Sequence, residues 1–173
     1  MRGVGVRRGR LWTTSLVAAI AALLLLGAAG PPLSGGGTGE IVIDPEGFTN
    51  IRAAGGNLIQ ERELSGTIEG TLDGTFEEEA TGTIHRTGLI TFRAELVFTG
   101  TIEGCGPDEH TLVLTLSGQG HATPQGPITE ASVRLVGDER NTVQATGQGT
   151  VWQAPSETEP GVSELTYELQ YRC

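Results

Sequence analysis

The chain has 173 residues, with 21 acidic and 11 basic side chains and a net charge of −10, which suits one domain of ordinary size. Every basic residue is Arg, and Arg2, Arg7, Arg8 and Arg10 precede the first acid, Glu40; beyond them 7 Arg face 21 acids, or −14. That balance excludes a nucleic-acid binder and an anionic membrane surface as partner, since nothing basic remains to meet phosphate. With 37% apolar residues in clear alternation, the chain is not a solvated tail.

Residues 1–29 read as a signal segment. The four arginines form its positive region, Leu16–Ala29 its fourteen-residue apolar run, and Gly27-Ala28-Ala29 offers small residues for cleavage after Ala29. The alternative is an uncleaved anchor, because from Trp12 to Gly30 the stretch reaches nineteen residues, just enough to span a bilayer. Either way residues 30–173 are placed outside the cytoplasm, as a secreted protein or one tethered to the outer face. The stretch 30–40, rich in Gly, Pro and Ser, is expected to be a flexible linker, leaving residues 41–173 as the folded domain.

From Leu64 to Ile84 the even positions are Leu, Gly, Ile, Gly, Leu, Gly, Phe, Glu, Ala, Gly, Ile, and the odd ones are almost all Thr, Glu or Asp. Period two with one bare or apolar face is half-buried antiparallel sheet. One strand of that length would run about 70 Å at roughly 3.3 Å per residue, so a turn must interrupt it. Asp73-Gly74 is the expected place. A three-residue loop pairing Leu72 with Phe76 keeps like characters on one face.

Further strands are predicted at Thr91–Glu103, Thr111–Gly120, Ile128–Val136, Val143–Val151 and Leu165–Tyr171, separated by segments rich in Gly, Pro, Asp and Asn. An opening strand at Glu40–Ile43 or Asn57–Glu63 brings the total to about eight, with a helical turn near Thr49–Ala54 as the one helical candidate after the signal. The expected fold is all-β, a single antiparallel up-and-down barrel. Glycines on the core-facing parity, such as Gly66, Gly100, Gly118 and Gly149, let strands coil and favour a barrel over a flat sandwich. The echo of Ser65-Gly-Thr-Ile-Glu-Gly70 in Thr99-Gly-Thr-Ile-Glu-Gly104 fits successive strands of a meander.

Cys105 and Cys173 are the two cysteines. An even count in an exported chain points to an intramolecular disulfide that pins the last strand. His85, His110 and His121 are scattered, none at metal-ligand spacing. No nucleophile elbow, P-loop or dinucleotide fingerprint occurs, so no metal and no cofactor is expected.

The run Gly66-Thr-Ile-Glu-Gly-Thr-Leu-Asp-Gly-Thr-Phe76, with Phe98-Thr-Gly-Thr-Ile-Glu-Gly104 and Ala145-Thr-Gly-Gln-Gly-Thr150, resembles the allene oxide cyclase barrel-like superfamily, nearest its prokaryotic branch. The likeness covers Phe48 to the C-terminus. It implies an eight-stranded calycin-like barrel around a core or small apolar cavity, of the kind the plant cyclases use to bind and cyclise a fatty-acid epoxide. None of their catalytic positions matches a residue here, so no activity is carried over.

The interior expected from parity is lined by Ile68, Leu72, Phe76, Phe92, Leu96, Phe98, Leu112, Leu114 and Leu116, which suits a small apolar ligand. Glu78 is the one acid on the inward parity of its stretch. It is either a general base or ligand anchor facing the cavity, or a solvated acid at the rim or in a bulge of Glu77–Glu79. Three readings follow: a barrel binding a small apolar molecule, a lipid-substrate isomerase or cyclase using Glu78, and a surface interaction module that can oligomerise through its faces. Catalysis is the less favoured. Trp152, on the opposite parity to Val151, with Tyr167 and Tyr171, is either a stacking surface or packing; packing is the expectation. Dense outward acid without Lys also suits a halophilic surface, where screening removes self-repulsion.

Overall fold

The computed structural model describes residues 31–42 and 47–173. The signal segment expected at residues 1–29 lies outside them. Nine strands run in chain order: β1 (Leu33–Val42), β2 (Phe48–Ala54), β3 (Asn57–Gly70), β4 (Leu72–Ile84), β5 (Leu89–Ile102), β6 (His110–Thr123), β7 (Gly126–Leu135), β8 (Thr146–Pro155) and β9 (Val162–Arg172). From β3 to β9 each strand pairs antiparallel with the next, and β1 pairs with both β9 and β3. The result is a closed antiparallel barrel of eight strands, with β2 added beyond β1 on the edge of β3.

Closure follows from the alternation. Every strand puts one parity inside, and a sheet with one apolar face buries it by curling onto itself. Phe98, Leu112, Ile102 and Tyr167 are essentially fully buried. The long runs β3, β4 and β5 keep continuous register with one another over almost their whole lengths.

The barrel has two unlike ends. One carries the β3–β4 turn, the β5–β6 loop, the β7–β8 loop and the C-terminus; the other carries the hairpin turns β4–β5, β6–β7 and β8–β9. At the first end Cys105 and Cys173 form the expected disulfide, across 68 residues of chain. Two inward tyrosines of β9 seal the same end. Tyr167 Oη accepts a hydrogen bond from Leu72 N–H at 2.8 Å and lies 3.3 Å from the carbonyls of Glu69 and Leu72. Tyr171 Oη donates to the Glu103 carbonyl at 2.6 Å, and Glu103 N–H donates to the Thr71 carbonyl.

Several boundaries differ from expectation. The β3–β4 turn centres on Thr71 rather than on Asp73-Gly74: Ile68 opposes Gly74 and Gly66 opposes Phe76. The parity argument stands, since even residues still face even ones, but the turn comes three residues earlier. Gly74 serves inside a strand, where a Cβ would strike the Thr99 carbonyl and Gly100 of β5. The turn instead uses Gly70, whose φ of 111° suits only glycine.

The expected linker is strand β1, the stave that closes the barrel. Its glycines are there for closeness, not flexibility: a Cβ on Gly37 would meet the Glu69 carbonyl and the Tyr167 ring. The helical turn expected near Thr49–Ala54 is strand β2, irregular between Thr49 and Arg52. The repeated Gly-Thr-Ile-Glu-Gly motifs close β3 and β5, two strands of the same direction with β4 between them. Val143, assigned to a strand, lies in the β7–β8 loop, which folds back over β6 through a hydrogen bond from Val113 N–H to Asn141 Oδ1.

Candidate functional site

Inward-facing residues of the barrel enclose a cavity of about 50 Å³. Ile68, Leu72, Phe76, Phe92, Leu96, Phe98, Leu114 and Leu116 line it, as their parity predicts. Leu112 is the exception: it is fully buried, and it packs in the core outside the cavity wall. Ile41 of β1, Ala131 and Val133 of β7, Val151 of β8, and Leu165, Tyr167 and Leu169 of β9 complete the apolar part of the wall.

Four polar residues interrupt this wall: Arg62 of β3, Glu78 of β4, Thr129 of β7 and Gln153 of β8. Glu78 sits mid-strand, opposite Leu64 on one side and Leu96 on the other, with unbroken register through Glu77–Glu79. It is therefore neither in a bulge nor at the rim; it points inward and is 6% exposed. Arg62 stands 3.5 Å from Glu78 Oε1 and 5.9 Å from the centre of the Phe92 ring. At 3.5 Å the guanidinium makes an ion pair but no close hydrogen bond, and Oε1 finds no hydrogen-bond partner among the described residues. Burial pushes the Glu78 carboxyl above the ordinary carboxylate range, and the Arg62 charge offsets this only in part.

Gln153 faces the same cavity from the far wall, since β8 and β4 are separated by three strands in either direction. It is 7% exposed. Its Oε1 accepts from Thr129 Oγ1 at 3.4 Å, while its Nε2 has no partner among the described residues. A buried donor or acceptor left unmet costs about 1–3 kcal/mol; of the four such side-chain atoms among the described residues, Glu78 Oε1 and Gln153 Nε2 belong to residues lining this cavity, whereas His110 Nε2 and Ser163 Oγ do not.

No family model matches the chain, and no curated protein matches it. The lumen geometry is what remains to read function from. Among the described residues no three His, Cys, Asp or Glu side chains converge as a metal site. His85 Nε2 lies 3.2 Å from Thr91 Oγ1 on the exposed surface, and His110 is half-buried at the start of β6, away from the lumen wall. Trp152, at 39% exposed, lies on the outer face between Glu130 and Thr166, whereas Tyr167 and Tyr171 are packed inside.

Arg62, Thr129 and Gln153 are the residues that sequence reasoning missed. Each lies one inward step beyond an apolar series: Arg62 two before Leu64, Thr129 two before Ala131, Gln153 two after Val151. Extending the period-two count past the last apolar residue would have found all three.

On the outer face Glu63, Glu79 and Glu95 stand directly opposite one another on β3, β4 and β5. Arg140 from the β7–β8 loop bonds Glu95 at 2.8 Å and Asp138 at 2.8 Å, holding the Asp138 carboxyl down at about 2.

Proposed function

We propose that this protein is an exported, disulfide-closed barrel that holds a small, largely apolar molecule in its lumen. The observation that carries the reading is the pair of buried, unpartnered polar atoms, Glu78 Oε1 and Gln153 Nε2, in an otherwise apolar cavity. Export is supported by the arginine-rich start with its apolar run and by the disulfide. Placement with the allene oxide cyclase barrel-like superfamily is part of the proposal, supported by the closed eight-stranded meander and the quoted motifs.

Size restricts the occupant. A cavity of about 50 Å³ has room for a few waters or a small organic molecule and falls well below pockets that enclose drug-sized ligands. An isomerase or cyclase with Glu78 as acid or base is a second reading, favoured by the inward carboxyl with its raised pKa. The same cavity is too small for a long-chain substrate without opening.

Methyl-resolved NMR with cyclopentane as probe tests the binding reading. Saturable shifts are expected at Leu96, Leu114 and Val133 in the lumen, with none at the exposed Val42 and Ile51. The substitution Ala131→Leu, which fills the cavity from β7, should abolish them. Lumen methyls that stay fixed at probe saturation refute the reading.

A further inference from the structure

We propose that the outer face of β7, β8, β9 and β1 binds an uncharged pyranose oligosaccharide, in a trough bordered by Trp152. This site is separate from the lumen and does not depend on it. The trough holds about 920 Å³. Across its floor Arg134, Gln148 and Gln170 stand directly opposite one another, and Thr150 stands opposite Glu168 in the next row. Beyond Glu168 that row ends on β1 at Gly36, which adds no side chain. Four adjacent strands contribute, a width of about 14 Å at roughly 4.8 Å between strands, which suits about three sugar rings. Trp152 lies on the same face, two residues after Thr150 and opposite Thr166 of the trough, and is 39% exposed.

Each feature has a use in holding a sugar. An indole on an open sheet is a flat apolar plate on which the C–H face of a pyranose stacks. Amides and hydroxyls beside it both donate and accept, as ring hydroxyls require. Arg134 and Glu168 are the one base and the one acid lining the trough, so its charge cancels in a domain that carries −14. Neither is in an ion pair among the described residues, and both can turn to a ligand. A polyanion would meet Glu168 and also Glu130, which stands opposite Trp152, with a single Arg to hold it. A polycation would find a denser acid row in Glu63, Glu79 and Glu95 on β3, β4 and β5. An apolar surface would cover Gln148 and Gln170 without giving their amides a partner.

The test is a titration of the full chain carrying Trp12→Phe, which leaves Trp152 as its one tryptophan. The neutral probes are cellotetraose, β-1,4-mannotetraose and maltotetraose; the charged ones are tetragalacturonate and the glucosamine tetramer of chitosan. We expect at least one neutral probe to shift Trp152 emission and to bind at least about tenfold tighter than either charged one. By calorimetry, Trp152→Ala should weaken that binding about tenfold or more, while Trp152→Tyr, which keeps a ring, retains most of it. Gln148→Ala should weaken it several-fold, and Glu79→Gln, on the acid row, should leave it unchanged. The proposal is overturned if no neutral probe binds at about 10 mM, if a charged probe binds as well or better, or if a folded Trp152→Ala variant binds as the parent does. Should that variant fail to fold, Gln148→Ala decides, and unchanged binding there overturns the site.

Discussion

Replacing Tyr167 by Phe removes one oxygen from the closed end of the barrel. That oxygen accepts the Leu72 N–H at 2.8 Å and lies 3.3 Å from two carbonyls of the β3–β4 turn. The ring is 2% exposed, so no water replaces it without opening the end. A lost buried hydrogen bond costs about 1 kcal/mol, and the stranded Leu72 N–H adds roughly 1–3 kcal/mol. The expected total is about 3 kcal/mol, or a fall of roughly 6–12 °C in Tm for a chain of this size. Urea unfolding followed by tryptophan fluorescence measures the first, and calorimetry the second. Tyr171→Phe provides the comparison: it frees only the Glu103 carbonyl, which retains access to solvent, and should cost about 1 kcal/mol. Equal costs for the two variants, or a Tyr167→Phe loss under about 0.5 kcal/mol, would refute the plug.

Three further outcomes follow from the same structure. Replacing Cys105 and Cys173 together by Ser releases a loop spanning 68 residues and should cost about 4 kcal/mol on the chain-entropy account; denaturant midpoints of the oxidised and double-Ser proteins measure it, and unchanged midpoints would contradict it. Glu79→Thr relieves a carboxylate set directly between Glu63 and Glu95 and should stabilise by about 0.5–1 kcal/mol at low salt. In about 1 M KCl, where screening acts within roughly 3 Å, the gain should vanish; a gain that persists there would disprove the repulsion. Burial raises the Glu78 pKa above the unfolded value of 4.5, so the folded chain binds that proton more tightly than the unfolded one. This contribution is greatest below the unfolded pKa and is lost as pH rises through the folded pKa. Arg62 is the charged group facing Glu78. The difference in stability between wild type and Glu78→Gln should therefore change with pH above about 4.5 and level off only above the folded pKa; a difference independent of pH would contradict the inward, desolvated carboxyl.

The strands were legible because they obey one rule, an apolar or bare residue at every second position, and the structure keeps that parity from β3 to β9. What the rule obscured were the places where polar residues take the inward positions. The lining was read from apolar residues alone, and the inward polar residues Arg62, Thr129 and Gln153 lie one step past the apolar series that begin at Leu64 and Ala131 and end at Val151. Glu78 was visible because Phe76 and Ala80 flank it on the same parity. β1 was hidden for another reason. Glycine-rich sequence carries no apolar signal, and the need for those glycines lies in the carbonyls of β3 and β9, far away in the chain. The β3–β4 turn was misplaced because local sequence favours Asp-Gly, whereas the Tyr167 hydroxyl, 95 residues beyond Leu72, accepts from Leu72 N–H and lies beside the Glu69 carbonyl, holding the two sides of the turn.

The central claim, that the lumen holds a small, largely apolar molecule, is tested most directly by a high-resolution crystal structure of the protein soaked in cyclopentane. The account predicts ordered non-protein density in the cavity against Leu96, Leu114 and Val133. A lumen filled by its own side chains, with no added density after soaking, would contradict it.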